Sequence, residues 1–174
     1  ADVNNIDDYK DTALMFASIE GHTDITELLL NSGADINHQD NNGDTALIQA
    51  SYMGYLEIVE LLLNSGADPN IISNDGDTAL IAAIDNGHPT IVEALLNSDA
   101  DPNIQNNYGW TTAMIAISYG YIDMVELLLR ANADPNLQNI DGYTALINVS
   151  LNGHTDIAEL LLNRGANPNI QDNY

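Results

Sequence analysis

Residues 43–70 read GDTALIQASYMGYLEIVELLLNSGADPN, and this order of residue types decides the fold. Thr45 stands before the short run Ala46-Leu47-Ile48-Gln49-Ala50. That is the pattern of a helix start, because a threonine hydroxyl accepts one of the amides that the first turn leaves unpaired. Gly54 then stops the helix, since the left-handed conformation that turns a chain back is least costly for glycine. Ile58, Leu61 and Leu62 follow at the i, i+3, i+4 spacing of a second helix, with Val59 and Leu63 widening its apolar stripe. Gly66 ends that helix, and Pro69 cannot continue it. What remains is an extended arm and a turn rich in Asn, Asp and Gly.

The same unit recurs along the chain. Thr stands at Thr12, Thr45, Thr78, Thr111 and Thr144, each 33 residues from the next, and Gly follows at Gly21, Gly54, Gly87, Gly120 and Gly153. The second helix is expected to end at Gly33, Gly66, Asp99, Asn132 and Gly165, residue types that tolerate a left-handed cap. An Ala-Asp-x-Asn tail begins at Ala1, Ala34, Ala67, Ala100 and Ala133, and Ala166 begins a variant with Asn167. The expected repeats span 7–39, 40–72, 73–105, 106–138 and 139–171, with partial repeats at 1–6 and 172–174. One such unit cannot cover its own apolar stripe, so neighbours must stack. The expected fold class is an all-α repeat solenoid of helix-turn-helix units joined by β-hairpin-like loops, read as a single domain over 1–174. The ends read as parts of further repeats, so the chain is expected to be an excerpt of a longer array.

Gly76, Thr78, Leu80, Ala83, Gly87, His88, Leu95, Leu96, Ala100 and Asp101 reproduce a motif that resembles the ankyrin repeat family, whose period is also 33. The resemblance covers nearly the whole chain. It implies a binding module without catalysis, and it places the hairpin tips and the ends of the first helices on the binding face. Three departures stand out. The family's Thr-Pro-Leu-His becomes Thr-Ala-Leu followed by Met15, Ile48, Ile81 or Ile147, which removes the His that usually braces neighbouring loops. Thr112 and Ala113 replace Pro and Leu in the fourth repeat, which is expected to loosen its packing. Lys10 occupies a Gly place in the first.

Composition narrows the function. The chain has 174 residues, 26 Asp+Glu against 3 Lys+Arg, and a formal net charge of -23. Such a surface repels nucleic-acid phosphates and anionic membranes, so neither is an expected partner. With no cysteine there is no disulfide, thiolate zinc site or thiol nucleophile, and an intracellular location is favoured unless the protein is delivered as an effector. No apolar run reaches membrane-spanning length. His22, His88 and His154 fall at the Gly-His position, where the resemblance assigns them to packing the helix turn, and no metal-ligand spacing exists. Asp40-Asn41-Asn42-Gly43-Asp44 has a passing likeness to a calcium loop. Its Gly is misplaced, however, and Ser51 stands where the bidentate Glu belongs, so it reads as a hairpin turn. Asn148-Val149-Ser150 matches a glycosylation sequon inside an expected helix. No catalytic residue, metal or cofactor is expected, and the chain is read as no enzyme.

Carried over by position, the candidate partner-binding residues are Asp44, Tyr52, Met53, Asp75, Asp77, Asp85, Tyr108, Trp110, Tyr119 and Tyr143. They stand where the repeat varies. The aromatic residues have two readings, as anchors in an interface or as staples between hairpins. Glu27, Glu60, Glu93, Glu126 and Glu159 should form a ladder on the outer face. That ladder serves either solubility or the steering of a basic partner. The expected function is a monomeric protein-interaction scaffold whose partner is another protein, of basic or mixed basic-apolar character. The alternatives are an acidic mimic of nucleic acid that occupies a DNA-binding protein, and the targeting arm of an enzyme or effector with its catalytic domain elsewhere.

Overall fold

The computed structural model describes residues 2–173 and contains ten helices. Among these residues the only β pairing is an isolated antiparallel bridge between Ile6 and Thr12. Ala1, the first tail marker, and Tyr174, the last residue of the partial repeat at 172–174, lie outside the described residues.

The chain forms two compact units, Ala1–Ala100 and Asp101–Tyr174. The first contains α1 (Ala13–Ile19), α2 (Thr23–Asn31), α3 (Ala46–Met53), α4 (Leu56–Asn64), α5 (Ala79–Asp85) and α6 (Pro89–Leu96). Each odd-numbered helix packs against the even one that follows it. Across repeats, α3 lies between α1 and α5, and α4 between α2 and α6. The second unit contains α7 (Thr112–Tyr119), α8 (Ile122–Arg130), α9 (Ala145–Asn152) and α10 (Thr155–Asn163), where α7 packs on α9 and α8 on α10.

Each first helix is capped as its threonine requires. The hydroxyls of Thr12, Thr45, Thr78, Thr111 and Thr144 accept the amides of Met15, Ile48, Ile81, Met114 and Ile147. In α4 the stripe Ile58, Val59 and Leu62 is buried. Each of these side chains contributes about 1.5–3 kcal/mol through lost contact with water. The left-handed positions also lie where the sequence puts them. Lys10 (φ 66°), Asp99 (63°) and Asn132 (64°) take that conformation where other repeats have Gly.

The loops keep their brace without the family's histidine. Gln39 Nε2 donates to the Gly43 carbonyl of its own loop (2.7 Å) and to the Ile72 carbonyl of the following loop (3.1 Å). Gln138 does the same with Gly142 (2.6 Å) and Gln171 (2.9 Å). The Asp68 amide donates to Asn37 Oδ1 at 2.9 Å, and the Asn167 amide to Asn136 Oδ1 at 2.7 Å. Side-chain amides thus link adjacent loops.

The lesser sequence features resolve as well. The Asp40 carboxylate accepts the amides of Asn42 (2.8 Å) and Asp44 (2.9 Å), as a hairpin turn demands. Asn148 is buried in α9 and donates to the Met114 carbonyl (3.0 Å) and Ser118 Oγ (3.1 Å), which leaves its amide inaccessible to a glycan. Thr112 is buried too, with its hydroxyl donating to the Pro102 carbonyl at 2.7 Å, so the polar replacement in the fourth repeat is hydrogen-bonded. No helix among the described residues is long and apolar enough to cross a membrane.

Candidate functional site

A hairpin tip and the exposed end of the first helix come from the same repeat, so stacking three repeats aligns three tips opposite three helix ends. In the first unit this alignment makes a groove of about 510 Å³. Its apolar wall comes from α1, α3 and α5, through Phe16 and Ile19, Ile48 and Tyr52, and Ala82. Phe16 is 49% exposed and Tyr52 58% exposed, a large fraction for aromatic rings beside a packed core. Facing them are Asp11, Asp40, Asp44, Asp75 and Asp77 from the hairpins, and Asp85 at the end of α5.

Burial and mutual repulsion act on these carboxylates together. Asp44 is pushed up to about 6, first by burial and then by Asp40, Asp75, Asp77 and Asp11. Asp77 is raised by burial and by Asp85 and Asp75. Burial alone raises Asp85. Asp11 is raised by burial, Asp40 and Asp7, against a hydrogen bond from Gln49 and the charge of His38. Each shift reports a charged form that is short of water and of positive neighbours. Arg130 forms an ion pair with Glu126 (3.2 Å) in the second unit. Among the described residues no group of three or more His, Asp or Glu side chains converges closely enough to hold a metal ion.

The groove brings together Asp44, Tyr52, Asp75, Asp77 and Asp85 of the ten residues expected from sequence, while Met53, 40% exposed, stands at the end of α3 outside the lining. The other four aromatic candidates belong to the second unit. Tyr108 is exposed at a hairpin tip, and Trp110 and Tyr143 are half-buried. Those two hairpins are linked by the Ile140 amide, which donates to the Tyr108 carbonyl at 3.2 Å, and by Gln105 Nε2, which donates to the Gln138 carbonyl at 3.0 Å. Tyr119 instead stacks on Tyr121, with ring centroids 5.3 Å apart and planes inclined by 22°.

Sequence reasoning passed over Phe16 and Gln49. Gln49 lies one helical turn before Tyr52, a position already singled out, and Phe16 stands likewise before Ile19 at the end of α1, so the i, i+3 rule places each pair on one face. Their repeat position also varies widely in type, as Phe16, Gln49, Ala82, Ile115 and Asn148.

Residues 1–73 and 80–172 match the family model of ankyrin repeats, described as three copies. A search of curated proteins finds no match. The family match, the paired helices, the capping threonines and the left-handed glycines agree: the chain belongs to the ankyrin repeat family and is an all-α repeat solenoid.

Proposed function

We propose that this protein is a non-catalytic interaction scaffold whose first unit binds a basic, partly apolar segment of a partner protein. Ankyrin repeats generally mediate protein–protein interaction, and the observation that supports this particular surface is the groove of repeats 1–3. Apolar walls reward burial of a partner side chain. A carboxylate rim steers a basic partner toward the groove and disfavours acidic ones. A standard interface of about 800 Å² per partner is larger than the groove itself and reaches the neighbouring hairpin tips. In the second unit, Tyr108, Trp110, Tyr119 and Tyr143 offer a second contact face of the type in which interface hot spots concentrate.

The test is capture of partners from a cell lysate by the whole chain, with each captured protein then titrated by calorimetry. Tyr52→Ala with Asp85→Asn is expected to weaken binding of the captured partner by about tenfold or more. Trp110→Ala with Tyr143→Ala separates the contribution of the second face. A partner displaced by DNA, bound with a steep salt dependence and indifferent to Tyr52→Ala, would favour the nucleic-acid mimic. Equal binding by all three forms would remove both faces from consideration.

A further inference from the structure

We propose, resting on the binding role above, that the groove of repeats 1–3 selects an arginine side chain of the partner, seating its guanidinium between Asp44, Asp77 and Asp85 and its stem on Phe16 and Tyr52. Three observations carry this.

The first is shape. At about 510 Å³ the groove exceeds a single small side chain. It suits one long side chain with an apolar neighbour, and pockets of roughly 300–1,000 Å³ hold comparable ligands. Exposed aromatic faces favour arginine, whose flat, weakly hydrated guanidinium stacks on rings and whose methylene stem covers apolar surface.

The second is charge complementarity. The carboxylates come from two hairpins and one helix end, and among the described residues no cationic side chain pairs with Asp44, Asp77 or Asp85. Within Ala1–Ala100 the sole Lys or Arg is Lys10. A forked donor meets several of these oxygens at once, as a compact ammonium cannot. Its arrival also relieves repulsion that the free protein holds.

The third is an unused acceptor. Gln49 lines the groove, and its Oε1 is out of water with no hydrogen-bond partner. A sheltered amide oxygen is costly unless a donor reaches it, and a guanidinium brings five N–H groups.

Proton competition follows from the same geometry. The charged groups around Asp44 are Asp40 on its own hairpin, Asp11 on the preceding one and Asp75 and Asp77 on the next, with Asp85 on α5 and His38 acting on Asp11. Asp44, pushed up to about 6, is charged at neutral pH and is neutralised by mild acid, which removes one of the guanidinium's acceptors.

The probe is a blocked peptide of sequence Ala-Leu-Arg-Leu-Ala, titrated into the whole chain and followed by backbone amide shifts. Matched peptides carry lysine or citrulline in place of arginine. Saturable shifts at Gln49, Tyr52, Asp77 and Asp85 are expected, with about tenfold weaker binding of the citrulline peptide and several-fold weaker binding of the lysine peptide. Asp77→Asn with Asp85→Asn should weaken the arginine peptide by about tenfold. Taking the solution from about pH 7.5 to about pH 5.5 should weaken it several-fold. Equal binding of the three peptides, or shifts centred on Glu27, Glu60 and Glu93, would overturn the proposal. So would the absence of saturable shifts. If the peptide is silent while a captured partner still depends on Tyr52, arginine selection falls and the scaffold role stands. If nothing is captured either, both fall.

Discussion

The His88 ring lies over Gly54, so close that a β-carbon on Gly54 would come within 2.6 Å of its Cε1, and His88 Nε2 sits 3.2 Å from the Tyr52 carbonyl oxygen. Gly54 therefore meets two demands, a φ of 85° and close approach by the following repeat. Gly33 meets one, with φ 84° and no atom within 4 Å of its added β-carbon. Gly33→Ala should cost about 1–2 kcal/mol, the ordinary penalty of the left-handed conformation. Gly54→Ala should cost at least about 1 kcal/mol more, because His88 must move as well. Urea denaturation of the two variants measures the difference.

Asn148 ties α9 to α7 through the Met114 carbonyl and Ser118 Oγ. Asn148→Ala removes both hydrogen bonds from a buried place and should destabilise the protein by about 1–3 kcal/mol. Asn152→Ala, at an exposed helix end, loses only its 3.3 Å hydrogen bond to Asn148 Oδ1 and should cost less, about 0.5 kcal/mol. The two urea midpoints give the comparison.

Asp44 binds its proton more tightly in the folded chain, at about 6, than at the ordinary 3.8. Between these values the folded state carries more protons than the unfolded one, so stability falls as pH rises through about 4 to 6. Asp77, Asp85 and Asp11 shift in the same direction. The protein should therefore be more resistant to urea near about pH 5 than near about pH 7.5. Asp44→Asn should raise stability at neutral pH by about 1 kcal/mol, a figure reduced for solvent screening because the carboxyl is half-buried. A urea midpoint that falls steadily from neutral pH to pH 5 would contradict this.

Glu27, Glu60 and Glu93 are exposed on successive second helices, within a chain of net charge -23. Neighbouring helices lie about 8–10 Å apart, near the screening length of about 8 Å at physiological salt. Added sodium chloride should thus raise the melting temperature, and Glu60→Gln should shrink the rise. Calorimetry across a salt series is the measurement, and a melting temperature indifferent to salt would show that the ladder does not strain the fold.

The fold was legible because its determinants are local and repeated. Thr45 caps the helix that follows it, Gly54 turns the chain after it, and Ile58 and Leu62 define a stripe from spacing alone. Even Asp99 and Asn132 showed their conformation through the place they hold in the period, and Lys10, noted only as standing at a Gly place, takes the same conformation. The site was legible in part. Asp44, Asp75, Asp77, Asp85 and Tyr52 stood out as departures from the repeat, and the groove contains all five. Phe16 and Gln49 did not, because their side chains gain meaning from the helix beside them and not from their own neighbours in sequence. The substitute for the bracing histidine was hidden for a similar reason, since Gln39 finds its second acceptor at Ile72, a whole repeat away.

That reach of one repeat has a consequence for how such a chain can change in length. Gln39 to Ile72 and Gln138 to Gln171 are the same bond written three repeats apart, and Asn37 to Asp68 matches Asn136 to Asn167 in the same way. Duplicating or excising one whole unit joins each amide to an acceptor of the same kind, so the new seam is chemically equivalent to the old. A gain or loss of any other length puts the amides that reach across that junction out of phase with their acceptors. The hydrogen bonds that steady the loops therefore also fix the step in which the array can grow.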